Sequence, residues 1–210
     1  MVLVHGWAGS FASTWVASGF TDLLADAGRP VIGVDLLGHG EAPKPHDPDA
    51  YADLTARVFD ALPEVPVDAV GFSLGAMTLL RAAIAQPERF RRLVLAGIGR
   101  NVFEPTAHDA DDNRARLFAS YANSPGNDPV ALAAVLQRRP APAPTDAELA
   151  RVTCPVLIAV GDADFVLPAD RLVAALPDAT LRLLRRTDHF ATPESFEFID
   201  ATLEFLAAAP

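Results

Sequence analysis

The sequence predicts an α/β protein: a doubly wound, mainly parallel sheet of about six strands, with helices on its faces. Three observations carry that expectation. Short aliphatic runs recur along the chain. Each run is apolar at nearly every position rather than at alternate ones, as in strands covered on both faces. Stretches that end in helix stop signals lie between them. At 210 residues, 50% of them hydrophobic, the chain has the length and apolar content for one domain with a sizeable core.

The expected strands are Met1–Val4, Val31–Val34, Val67–Val70, Leu93–Ala96, Val156–Val160 and Leu181–Leu184. Helical character runs from Thr14 to Ala27, closed by Gly28; from Tyr51 to Leu62, closed by Pro63; and from Leu74 to Gln86, closed by Pro87. Near the end of the chain Phe196, Ile199, Leu203 and Leu206 recur at helical spacing and are expected to face the sheet. One interval breaks the rhythm. About fifty residues separate the strands on either side of Ile98–Arg151, where a simple crossover needs far fewer. This insertion holds two short helices, around Ala110–Ala122 and Pro129–Arg138, and ends in Pro140-Ala141-Pro142-Ala143-Pro144, a stiff extended connector. The expected organisation is a core of residues 1–97 and 151–210 with a small helical cap of residues 98–150.

Charge narrows the partners. Lys and Arg number 17 against 27 Asp and Glu, a net charge of −10 that repels phosphate backbones and anionic membrane surfaces. Neither nucleic acid nor a membrane is expected as a partner, and no apolar run approaches the roughly 20 residues that span a bilayer. Cys154 is the single cysteine, so an internal disulfide and a cysteine zinc site are excluded, and the side chain is expected to pack as a small apolar residue beside Pro155. The chain reads as soluble and cytoplasmic, and no sequence pattern specifies an oligomeric state.

Chemistry concentrates at strand ends. Gly71-Phe72-Ser73-Leu74-Gly75 follows a strand and opens a helix, the strand-turn-helix context of a nucleophile elbow. A sharp turn there holds the serine in a strained conformation, and the flanking glycines let strand and helix approach. A serine hydroxyl needs a base and an orienting acid. Among five histidines, His5, His39 and His46 precede the serine and His108 falls in the insertion; His189 follows it in a loop between the last strand and the last helix. For the acid, Gly161-Asp162-Ala163-Asp164-Phe165 offers two aspartates after the Val156–Val160 strand.

Taken together, His5-Gly6-Trp7, Asp35-Leu36-Leu37-Gly38-His39-Gly40, the elbow at Ser73, the Gly161–Asp164 loop and Asp188-His189-Phe190 resemble a serine hydrolase of the α/β-hydrolase superfamily over nearly the whole chain. The resemblance selects Asp164 as the acid, with Asp162 as fallback. It implies an oxyanion hole of two backbone amides, Trp7 and Leu74, and a structural part for His5 and His39. It also implies a core lacking the first two strands of that fold, with Val31–Val34 at the sheet edge. Asp188 stands where the family commonly has glycine. The activity implied is cleavage of a small to medium carboxylic ester through an acyl-enzyme, with no metal and no cofactor. Trp7, Phe165 and Phe190 are assigned to the substrate pocket. Arg114, Arg116, Arg138 and Arg139 of the insertion could meet a substrate carboxylate, and equally read as ordinary exposed arginines. The same three side chains serve thioester, lactone and carbon-carbon bond hydrolysis and cofactor-free perhydrolysis in that superfamily, and a non-catalytic ligand-binding protein of this fold is a further alternative.

Overall fold

The computed structural model describes residues 1–104 and 112–207. Each of the six apolar runs forms a strand: β1 (Val2–Val4), β2 (Ile32–Val34), β3 (Val67–Phe72), β4 (Phe90–Ala96), β5 (Val156–Gly161) and β6 (Ala179–Leu184). All five pairings are parallel, in the order β2-β1-β3-β4-β5-β6. β1, β3 and β5 are buried at every residue, as their uniform apolarity predicts. β2 and β6 end the sheet and are only partly covered, so the apolar run of β6 leaves Leu183 49% exposed.

The helices are α1 (Phe20–Asp26), α2 (Thr55–Ala61), α3 (Leu74–Ala85), α4 (Asp112–Ala122), α5 (Pro129–Gln137), α6 (Asp146–Leu149), α7 (Asp170–Ala175) and α8 (Phe196–Ala207). Three expectations are corrected. The single helix from Thr14 to Ala27 is split into a π-helical turn at Ala12–Val16 and α1, because Gly19 between them adopts a left-handed φ of 74°. That break lets Trp15 turn inward, where its ring lies 5.5 Å from Phe20 and 6.2 Å from Phe198. The helix expected from Tyr51 begins at Thr55, where the Asp53 carboxylate accepts the Thr55 amide at 2.8 Å. In α8 the buried face is Phe198, Ile199, Ala201, Thr202 and Leu206, while Phe196 is 83% exposed. The face is rotated because Phe198 completes the aromatic cluster with Trp15 and Phe20.

The short helices α6 and α7 were not foreseen. A capping box between Thr145 and Glu148 starts α6, a signature visible in the sequence but overshadowed by the prolines before it. The prolines themselves form no regular element, and Arg81 holds them through the Ala141 and Pro142 carbonyls at 3.4 and 2.9 Å. The Asp128 carboxylate caps α5 at the Val130 and Ala131 amides. Residues 105–111, including His108, lie outside the described part. Cys154 packs against the core, and burial pushes its thiol up to about 11. Among the described residues no helix is long and apolar enough to cross a membrane.

This topology places the site. The chain leaves β1 toward β2 on one side, then returns to β3 and continues toward β4 and β6 on the other. Loops after β1 and β3 therefore diverge, opening a crevice at the carboxyl ends of the strands, where open α/β sheets bind ligands. Trp7 and Ser73 stand on those two loops.

Candidate active site

Ser73 has φ 50° and ψ −112°, a left-handed backbone that a non-glycine residue adopts only when its surroundings enforce it. The surroundings are visible. The Ser73 amide donates to Ala96 of β4 at 2.8 Å, and the adjoining glycines are crowded by backbone. A Cβ on Gly71 would stand 2.8 Å from the Ala76 nitrogen, and one on Gly75 would stand 2.4 Å from the Val4 carbonyl. Hence β1, β3 and α3 meet at a spacing only glycine permits, and the serine is lifted on the turn between them.

Ser73 Oγ lies 2.9 Å from His189 Nε2, and His189 Nδ1 lies 2.9 and 3.1 Å from the two Asp164 oxygens. A carboxylate only accepts, so Nδ1 carries the proton and Nε2 presents its lone pair to the serine hydroxyl. His189 is 4% and Asp164 5% exposed. The imidazole is held by Phe72, Phe165 and Phe190, with ring centroids at 5.0, 4.5 and 5.5 Å. Asp164 also accepts the Val166 amide at 3.0 Å, which orients the carboxylate. Residues 25 to 116 apart in sequence thus form one hydrogen-bonded line, because their loops all follow the carboxyl ends of parallel strands.

The other two acids have different partners. Asp162 accepts the Thr187 amide at 3.3 Å, two residues before His189. Asp188, where the family commonly has glycine, accepts the Ala191 amide at 2.9 Å, just ahead of the short turn Thr192–Glu194.

His5 and His39 are fully buried, 5.0 Å apart between ring centroids. The Leu36 amide donates to His5 Nε2 at 3.1 Å, so His5 carries its proton on Nδ1 and donates to the Gly6 carbonyl at 2.7 Å. Nδ1 of His39 bonds the Leu37 carbonyl at 3.0 Å. Burial lowers the pKa of both rings, that of His39 to about 3 with His5 as a secondary cause. Unfolding returns them to water, where imidazole binds a proton near 6.5. Below about 6.5 the unfolded state therefore takes up protons that the folded state refuses, and stability present above that value is lost as pH falls toward 3. His39 alone is expected to cost about 2 kcal/mol between pH 7 and pH 5. Urea unfolding at the two pH values measures it, and His39→Asn, which keeps a donor for Leu37, should shrink the difference. An undiminished loss in that variant would assign the acid sensitivity elsewhere.

The two expected oxyanion donors sit at the crevice walls. Trp7 follows Gly6 at the end of β1, and Leu74 is the first residue of α3, where the helix dipole favours an anion. Among the described residues neither backbone N–H has an acceptor. Close approach of Gly75 to the Val4 and His5 carbonyls holds the two segments together.

A cavity of about 400 Å³ opens on Ser73 and His189, walled by Trp7, Phe118, Tyr121 and Phe190. Of the residues expected in a substrate pocket, Trp7 and Phe190 line it. Phe165 does not: it packs against the imidazole, with ring centroids 4.5 Å apart. Phe118 and Tyr121 of α4 were missed. Their spacing of three on an expected helix marks a shared face, yet only the fold brings that face over Ser73. The insertion is tied down by Trp7 Nε1, which donates to Leu132 at 3.2 Å, and by Asn127, whose amide donates to Ala8 at 2.9 Å. Arg138 and Arg139 line a second cavity, beyond Leu74 on α3, and Arg116 lines neither. The Arg114 side chain lies outside the described part. Among the described residues no group of three metal-binding side chains gathers.

A chain with this sheet and this strand-end arrangement is an α/β protein with a crevice at the carboxyl ends of its parallel strands. It matches the alpha/beta hydrolase fold family over residues 1–134 and belongs to that family. It is 40% identical over 97 residues to a pimeloyl-(acyl-carrier protein) methyl ester esterase of Neisseria meningitidis, covering 44% of this chain and 28% of that protein. Similarity to a 2-hydroxymuconate semialdehyde hydrolase of Pseudomonas sp. is 36% over 101 residues, covering 46% of this chain and 35% of that protein. These matches span about a third of the relatives' lengths. The solved enol-lactonase of Burkholderia xenovorans superposes with a TM-score of 0.75 at 18% identity, covering 99% of this chain and 90% of that one, a likeness of fold.

Proposed function

We propose that this chain is a serine hydrolase that cleaves a carboxylic ester of a small to medium substrate through an acyl-enzyme. One observation carries the reading: the unbroken hydrogen-bonded line from Ser73 Oγ through His189 to Asp164. Ser73 Oγ attacks the carbonyl carbon while His189 Nε2 takes its proton; the carbonyl electron pair moves onto oxygen, facing the Trp7 and Leu74 amides. As the tetrahedral intermediate collapses, the ester C–O bond breaks and the alcohol leaves with the proton from His189. Water, deprotonated by the same nitrogen, then adds to the acyl group, and Ser73 regains its proton as the acid departs. Asp164 keeps Nδ1 protonated and stabilises the imidazolium in both halves.

Residues 98–150 serve as the cap, and the cavity of about 400 Å³ fits substrates smaller than long-chain lipids. A small-molecule ester, without nucleic acid or membrane as partner and without cofactor, suits the acidic balance of the chain. A single cysteine accords with a reducing, cytoplasmic setting. Incubation with a fluorophosphonate probe is expected to place the adduct on Ser73, located by peptide mass spectrometry. An unlabelled Ser73, or labelling that persists in Ser73→Ala, overturns the reading.

A further inference from the structure

The charges and rings around Ser73 bear on which ester is taken, an inference that rests on the esterase reading above. Two carboxylates, Glu41 and Glu194, line the cavity, and among the described residues no lysine or arginine does. Lys44 stands close in sequence but gives its ammonium to the Gly40 carbonyl. Nearby, burial raises the pKa of the Tyr121 phenol, with the charges of Asp188 and Glu194 as lesser causes. The cavity is also lined with aromatic rings. Trp7 and Phe118 have centroids 5.1 Å apart, Phe118 and Phe190 5.7 Å, and Tyr121 and Phe190 5.2 Å. Aromatic walls with carboxylates at the rim are the chemistry that receives an ammonium group and turns a carboxylate away.

Geometry also says which half of the ester carries the charge. The leaving oxygen must come within reach of His189 Nε2 to be protonated, so the alcohol half lies toward the His189 loop. Phe190 and Glu194 stand on that same loop, and Tyr121 packs on Phe190.

We propose that the pocket selects esters whose alcohol half bears an ammonium group, held by the aromatic wall under Glu194 and Glu41. Three butyrate esters test it: butyrylcholine, its equal-sized carbon isostere 3,3-dimethylbutyl butyrate, and the smaller, anionic butyrate ester of 3-hydroxypropanoate. At low salt kcat/KM is expected to be about tenfold higher for the cation than for the neutral isostere, and lower again for the anion. The cation's advantage should fall toward unity in about 0.5 M NaCl. It should shrink about threefold in Glu194→Gln. A second readout needs no turnover: choline should protect Ser73 from the fluorophosphonate at about a tenth of the concentration that 3,3-dimethylbutanol requires. Equal constants for the three esters, a preference for the anion, or equal protection by the two alcohols overturns the charge selection while leaving the serine chemistry standing. Absence of labelling at Ser73 overturns both.

Discussion

Ser73→Ala is expected to lower kcat for ester hydrolysis by about ten thousand- to a million-fold, leaving only what the oxyanion donors and binding supply. The change removes the proposed nucleophile and nothing that holds the fold. Ser73 makes its structural hydrogen bond to Ala96 through the backbone amide, which alanine keeps. Alanine meets the same strain at φ 50°, and the crowding of Gly71 and Gly75 is untouched. Initial rates on 4-nitrophenyl butyrate, with circular dichroism and the unfolding midpoint as controls, separate lost chemistry from lost structure. Retention of more than about a hundredth of the rate in a folded Ser73→Ala protein would deny the serine its role.

Asp164→Asn should cost about ten thousand-fold in kcat. Here the argument runs through the tautomer. The asparagine oxygen can still accept the Val166 amide that now binds Asp164 at 3.0 Å, so the loop geometry is preserved. Its NH2 group, however, donates where the carboxylate accepted, which drives the proton of His189 to Nε2 and leaves no lone pair for the Ser73 hydroxyl. The loss of kcat should therefore come with parallel slowing of fluorophosphonate labelling and an unfolding midpoint within a few degrees of the parent. Asp162→Asn is the control, since Asp162 serves only the Thr187 amide. If Asp162→Asn lost the rate and Asp164→Asn kept it, the assignment of the acid would be reversed.

Much of this was legible before any coordinates. The uniform apolarity of Val67–Val70 and Val156–Val160 declares strands covered on both faces, and β3 and β5 are buried throughout. Gly71 and Gly75 around Ser73 declare a turn that only missing side chains allow, and the approach of the Val4 carbonyl explains why. Other features were hidden because they arise from packing. Phe196 fits the apolar period of α8 yet faces solvent, since the burial of Trp15, Phe20 and Phe198 sets the rotation of that helix. Phe165 follows the acid in sequence and was expected in the pocket, yet it packs on the imidazole and is not among the residues that line the cavity.

By itself, then, the sequence determined the strand-helix rhythm, the serine on its elbow and the histidine that answers it. Local chemistry decides these: backbone torsions, side-chain size and the period of apolar residues act over a few neighbours. The resemblance had also selected Asp164 over Asp162, and Asp164 is the one within hydrogen-bond reach of His189. The tertiary structure alone decided that Phe118 and Tyr121 line the cavity at Ser73, and that Glu41 and Glu194 share it with them. Such outcomes depend on which strand ends lie side by side and how far each loop reaches. That is a property of the sheet order, in which residues more than a hundred positions apart become neighbours.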